Sequence, residues 1–244
     1  MILAVVWGVY FSGLHPWLMN WGATAAEQQM ALPGDQLLPD VSYRFTRAIT
    51  IRAPTSAVWR WIVQMGQDRA GFYSNTWLEN LAGANIHNAN YIHAEWQQRM
   101  IGDRILLARP DLFGGSFAQV AQTRIVALEP ERLIADIPCR FVLQPIDGNT
   151  TRLLLRESIP STFAARTINA LMWDPTHFVL EARMLRGIKE RAEGHSLVPV
   201  EMMFVARIGY SGCRRPTCVV LDSTTLAPMG CIANGDPASG GADD

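Results

Sequence analysis

The densest run of residues able to do chemistry is "HNANYIHAEW", residues 87–96. It carries two imidazoles and a carboxylate: His87, His93 and Glu95. Imidazole titrates near neutrality and suits proton transfer, and three such side chains converging on one point would suit a metal ion. His87 and His93 stand in an Asn-rich loop, so their spacing permits convergence without encoding it. Hydrogen-bonded histidines at a cavity rim are the blander and favoured reading, and neither a metal site nor a cofactor is expected. Tyr73 joins these residues as a candidate for proton transfer. The strands supply a second set: Arg47, Arg156 and Glu157. An inward-facing Arg needs a partner. That partner is either a ligand carboxylate or phosphate, which matches its planar fork, or an internal carboxylate. The internal pair, Arg47 or Arg156 with Glu157 or Asp136, is favoured. No P-loop, GxGxxG, GxSxG or HExxH string occurs.

The bulk numbers narrow the classes. The 244 residues suit one domain with appendages or two small domains. With 21 basic against 22 acidic residues the chain lacks the basic excess of a nucleic-acid binder. Cys139, Cys213, Cys218 and Cys231 form no CxxC pair, which suits free thiols in a reducing compartment. Residues 1–21, "MILAVVWGVYFSGLHPWLMNW", are apolar and uncharged. Three readings compete: a membrane anchor, a signal peptide ending at "ATA", or a hydrophobic helix folded onto the domain. Trp7, Trp17 and Trp21 suit an interfacial belt, so a membrane-associated segment is preferred.

Residues 22–40 read as a short helix and a Pro/Gly-rich linker, with Thr24 and Glu27 in the form of a capping box. "YRFTRAITI" alternates as a half-buried strand, with Arg47 interrupting its apolar face. "TSAVWRWIVQMG" is a short amphipathic helix with Thr55 or Ser56 as N-cap and Gly66 as the stop. A second short helix follows over residues 75–81, capped by Ser74 or Asn75. Further strands cover 102–109 and 117–130, then "RLIADIPCRFVLQPID" and "NTTRLLLRESIP", with Asp147-Gly148 as a hairpin turn. The longest helix is "DPTHFVLEARMLRGIKERAEG", with Asp174 as cap and Pro175 at its first position. Phe178, Ala182, Leu185, Ile188 and Ala192 line its apolar face. The tail, 195–244, reads as poorly ordered.

A strand, short helices, antiparallel strands and a final long helix make an α+β order. The runs "TRAITIRAPTSAVWRWIVQMGQDRAGFYSNTWLENLAG", "GDRILL", "ALEPERLIA" and "TRLLLRESIP", with the long helix, resemble the START-like (SRPBCC, polyketide cyclase/dehydrase and lipid-transport) superfamily, in a bacterial branch with membrane-associated segments. The tail departs from it. The resemblance implies a helix-grip fold over residues 41–194, a curved antiparallel sheet wrapped around the long C-terminal helix. It also implies a cavity between the two. Its expected lining is Trp61, Phe72, Tyr73, Trp77, Leu81, His87, His93, Arg156, Phe178, Ala182 and Leu185. The expected function is binding or transport of a hydrophobic small molecule or lipid, on a chain held at a membrane by its N-terminal segment with the folded domain cytoplasmic. Two alternatives stand: a cyclase or dehydratase using His87, His93, Tyr73 or Glu95, and an interaction module with a filled core and an exposed apolar patch.

Overall fold

Period-two alternation along "YRFTRAITI" and "TTRLLLRESI" gives two long strands, β1 (Tyr43–Ile51) and β6 (Thr150–Ile159), paired antiparallel with Arg47 opposite Leu155. The structure, a computed structural model, describes residues 2–33, 35, 43–115, 122–129, 132–135, 139–159, 169–194, 219–221 and 228–231. Strands β2 (Arg104–Leu106), β3 (Gln122–Glu129), β4 (Arg132–Ala135) and β5 (Cys139–Asp147) complete an antiparallel sheet in the order β1-β6-β5-β4-β3-β2. The β5–β6 hairpin turns at Gly148-Asn149, between the paired Asp147 and Thr150, one residue beyond the Asp147-Gly148 turn that the sequence suggests. The long helix α6 (Asp174–Ala192) packs against one face of this sheet, giving an α+β architecture.

The two faces of the sheet follow from the alternation. Leu153 and Leu155 of β6 and Phe141 and Leu143 of β5 are buried with Met184, Leu185 and Ile188 of α6. Val58, Trp61 and Ile62 of α4 (Thr55–Val63) close the same cluster. Complete burial of each such leucine is worth about 2 kcal/mol. On the other face Leu154, Val142 and Ala48 pack against Leu32. Leu32 therefore covers part of the outer face.

Helix starts differ in detail from the sequence expectation. At α4 the N-cap position is Pro54, with no side-chain cap bond, and the helix ends at Val63 rather than at Gly66. The next short helix, α5 (Thr76–Leu81), has Asn75 at its N-cap but again no side-chain cap. The Ser74 hydroxyl donates instead to Glu79. Asp174 is not a cap: the helix enters α6 through a π-helical turn, Asn169–Trp173, and Asp174 is buried inside it.

The N-terminal segment folds onto this unit. Helices α1 (Ile2–Val9) and α2 (His15–Met19) run together through a π-helical turn over Tyr10–Leu14. The Tyr10 hydroxyl donates to the Ala170 carbonyl, and the His15 ring lies 2.8 Å from Asp174. The segment then runs beside β1: the Ala48 N–H donates to the Trp21 carbonyl at 3.1 Å and the Thr46 N–H to Asn20 Oδ1 at 3.1 Å. No helix among the described residues is long and apolar enough to cross a membrane.

The capping box at α3 (Ala25–Gln29) forms in full, with Thr24 and Glu27 bonded reciprocally. Glu27 also takes both arms of Arg152, at 2.7 and 2.8 Å. The Arg152 hydrogen bond, opposed by partial burial and helped by the cap, lowers the Glu27 carboxyl to about 2. A lowered folded-state value adds stability above the ordinary carboxylate range, and that stability is lost as pH falls toward the lowered value. Wild type should therefore weaken as pH drops from about 4.5 to about 2, and Glu27→Gln should weaken less across that window. Urea unfolding at several pH values reads the difference; parallel pH profiles would refute it.

The chain divides into two units, Met1–Ser196 and Leu197–Asp244. In the second, β7 (Val219–Leu221) pairs antiparallel with β8 (Pro228–Cys231). The expectation for the rest of the tail lies outside the described residues.

Candidate functional site

One stretch of the sheet–helix layer is not apolar. Arg47 stands on the inner face of β1, where the interrupted alternation puts it, and is fully buried. Glu157 continues the inward series of Leu153 and Leu155 on β6 and is 5% exposed. From α6, one turn apart, come His177 and Glu181. A ligand atom from each of Glu157, His177 and Glu181 lies within 4.8 Å of the others. Arg47 Nη1 donates to Glu181, Nε donates to the Leu18 carbonyl at 3.1 Å, and Nη2 points at Met19 Sδ. The guanidinium also stands 4.5 Å from the Phe45 ring centre. His177 Nδ1 is 3.2 Å from Glu181 Oε1, and its ring packs on Trp173, 4.4 Å between centres. His177 keeps part of its side chain in solvent, whereas the two carboxylates lie beneath it.

Burial and the neighbouring Glu181 charge raise the Glu157 carboxyl well above the usual range. Burial also pushes Glu181 up, but the Arg47 charge and hydrogen bonds from His177 and Glu157 outweigh it and leave Glu181 low. Of the two, Glu157 is the one that favours its protonated form and Glu181 the one that favours its ionised form. Cys139, beside them on β5, has its thiol pushed up by burial and by both carboxylates, so it is not a thiolate nucleophile. The arrangement can hold a cation, orient an anionic head group through Arg47, or pass a proton.

The residues expected from sequence scatter. Trp61, Ala182 and Leu185 are core, and Phe72 packs against it half-buried. Tyr73 is fully buried, its hydroxyl donating to the Trp61 carbonyl at 2.9 Å and accepting from Gln64 at 2.9 Å. Trp77 and Leu81 are exposed at 69% and 79%. His87 is exposed, and His93 is stacked between Tyr91 and Trp96 with Glu95 at 3.1 Å. Phe178 packs on Trp17 and Trp21 of the N-terminal segment. Arg156 lies on the outer face of the sheet, bound to Asp35 at 2.8 Å and to the carbonyls of Met30 and Glu27. Both arginines are thus internally paired, but with Glu181 and Asp35 rather than with Glu157 or Asp136, and Asp136 lies outside the described residues. His87, His93, Tyr73 and Glu95 do not meet as one proton-transfer set.

His177 and Glu181 do not stand out in the sequence, because neither belongs to the apolar series Phe178, Ala182, Leu185 and Ile188 and both read as part of the helix's charged face. Glu181 precedes Leu185 by one turn and Ile188 by two, so it interrupts the core stripe as Arg47 interrupts the strand. A groove of about 540 Å³ also lies between β1 and α6, lined by Trp21, Ile49, Arg152, Arg186, Lys189 and Glu190 among others. Its charges are already engaged: Arg152 with Glu27, Lys189 with Glu193, Glu190 with Arg183, and Arg186 over Trp21.

The sequence matches no protein-family profile and no curated protein. Among solved structures, the chain is similar to a conserved protein of unknown function from Enterococcus faecalis, at 14% identity over 68% of this chain and 84% of that one, TM-score 0.36. A protein from Chromobacterium violaceum matches at 14% identity over 62% and 96%, TM-score 0.35. A Polyketide_cyc-like protein from Corynebacterium glutamicum matches at 16% identity over 68% and 96%, TM-score 0.28.

Proposed function

We propose that this chain is a helix-grip domain that binds a hydrophobic small molecule or lipid between its sheet and its long helix, at the N-terminal half of α6. The observation that carries this reading is the buried group of Arg47, Glu157 and Glu181 in an otherwise apolar layer, with His177 at its rim. Buried charges are costly and are not needed to join a sheet to a helix. An amphipathic ligand uses such a group for its polar end and the surrounding leucines and aromatics for the rest. The helices α1 and α2 cover this end, tied down by the Tyr10, His15 and Leu18 contacts.

The same end presents apolar side chains to solvent: Trp7, Phe11, Leu14 and Trp17 on the cover, and Met172 and Trp173 on the turn into α6. Exposed Trp beside Leu and Phe suits the interface of a lipid bilayer, so the cover is also the membrane contact, lying on the surface. The test is to incubate purified chain with phosphatidylcholine–phosphatidylglycerol vesicles, re-isolate it and extract it. Near-equimolar lipid is expected, together with co-sedimentation that Trp17→Glu with Trp173→Glu abolishes. Lipid-free protein that ignores vesicles would overturn the reading. One observation favours an interaction module instead: Phe141, Leu143, Leu153, Leu155 and Leu185 fill much of the layer themselves. Stable self-association or protein capture through the Trp7–Trp17 face, with no lipid uptake, would select it.

A further inference from the structure

We propose that Glu157, His177 and Glu181 bind a divalent first-row metal ion. Two of the three are already at coordination spacing. Ligand atoms about 2.1 Å from a tetrahedral ion stand about 3.4 Å apart, and His177 Nδ1 to Glu181 Oε1 is 3.2 Å. The Glu157 oxygen is within 4.8 Å of both. The i, i+4 pair on α6 fixes two ligands on one helix face, and β6 brings the third from across the layer.

An independent observation concerns charge. Among the described residues Glu157 forms no ion pair, although it is 5% exposed. The guanidinium nearest to it, Arg47, is bonded to Glu181. The Glu181 and Asp174 carboxyls both act on Glu157, with His15 beside Asp174. A divalent ion would give the Glu157 carboxylate the cationic partner it lacks. Arg47 stays on the second side of Glu181 and orients it, the usual task of a group behind a ligand. The partly exposed His177 is the path by which an ion enters. Two carboxylates and one imidazole suit Mn²⁺, Fe²⁺ or Zn²⁺.

The site uses the residues that the proposed lipid reading gives to the ligand's polar end, but its readout is the ion itself, so the two stand or fall separately. Mn²⁺ is the probe, since this hard ion ignores the thiols of Cys213, Cys218 and Cys231 that would take up Zn²⁺. Titration of the full chain followed by electron paramagnetic resonance should show one saturable Mn²⁺ per chain. Glu157→Gln, which keeps the shape and removes the carboxylate that would ligate the ion, should weaken binding about ten-fold or more, as should His177→Ala at the solvent rim. Thermal unfolding without metal checks that both variants remain folded. No saturable uptake by wild type, or uptake unchanged in both folded variants, overturns the site.

Discussion

Arg47→Met is expected to cost the fold about 3–5 kcal/mol, because it leaves buried carboxyls facing each other without their guanidinium. Arg47 is fully buried and makes three separate attachments: to Glu181, to the Leu18 carbonyl and to Met19. Methionine replaces the volume but none of the charge. Glu181 then loses the charge that holds it ionised, and the N-terminal cover loses one of its ties to β1. The loss is not a measure of what the pair contributes, since buried pairs and apolar replacements of equal volume are often equivalent. The double variant Arg47→Met with Glu181→Leu should therefore recover most of the stability, through a coupling of more than about 1 kcal/mol. Urea unfolding of the two single variants and the double variant completes the cycle. A loss below about 1 kcal/mol in Arg47→Met, or simple additivity, would show that the cluster is not organised around this residue.

The second large effect is expected at Gly187, in the middle of α6. Alanine raises helix propensity by about 1 kcal/mol at such a position, so a naive reading favours the substitution. Here the new methyl carbon would stand 2.2 Å from the Tyr73 carbonyl oxygen and 2.8 Å from Tyr73 Cβ. Tyr73 cannot move aside. Its amide donates to Asn88 at 2.8 Å, its hydroxyl is held by Trp61 and Gln64, and Arg191 stands 4.6 Å from its ring centre. Its backbone also sits at φ 58, a conformation few bulky residues adopt. Gly187→Ala should destabilise by about 2 kcal/mol or more through overpacking. A variant as stable as wild type in denaturant would show that the helix and the loop carrying Tyr73 are not in close contact.

Tyr73 also illustrates what could be read from the sequence. The stretch around it, "GFYSNTW", signals an aromatic loop between two short helices, and both helices are present. What the sequence does not encode is direction. Tyr73 turns into the core because a glycine on a helix more than a hundred residues later leaves room for its backbone, whereas Trp77 and Leu81 turn to solvent. Arg47 was legible because a single charge breaks a two-residue period. Glu157 breaks the same period on β6 and reads as a partner for an inward Arg, but the sequence does not encode that the Arg47 guanidinium goes instead to Glu181 from the helix. Asp174 has the sequence form of a helix cap, and it fails as one because the preceding turn winds as a π-helix and brings it to His15. Local rules thus placed the strands and helices, whereas the polar cluster depends on which faces meet.

The segment running beside β1 has a consequence of a different kind. β1 is an outermost strand of the sheet, and a strand with one unpaired side invites pairing with another chain. Here the Ala48 N–H is taken by Trp21, the Thr46 N–H by Asn20, and Gly22 passes so close that a methyl carbon there would stand 2.1 Å from the Ala48 carbonyl oxygen. The opposite outermost strand, β2, is protected by being three residues long. The apolar N-terminal residues therefore serve the fold's solubility as well as its cover: without them the longest open strand would be free to add strands from a second molecule.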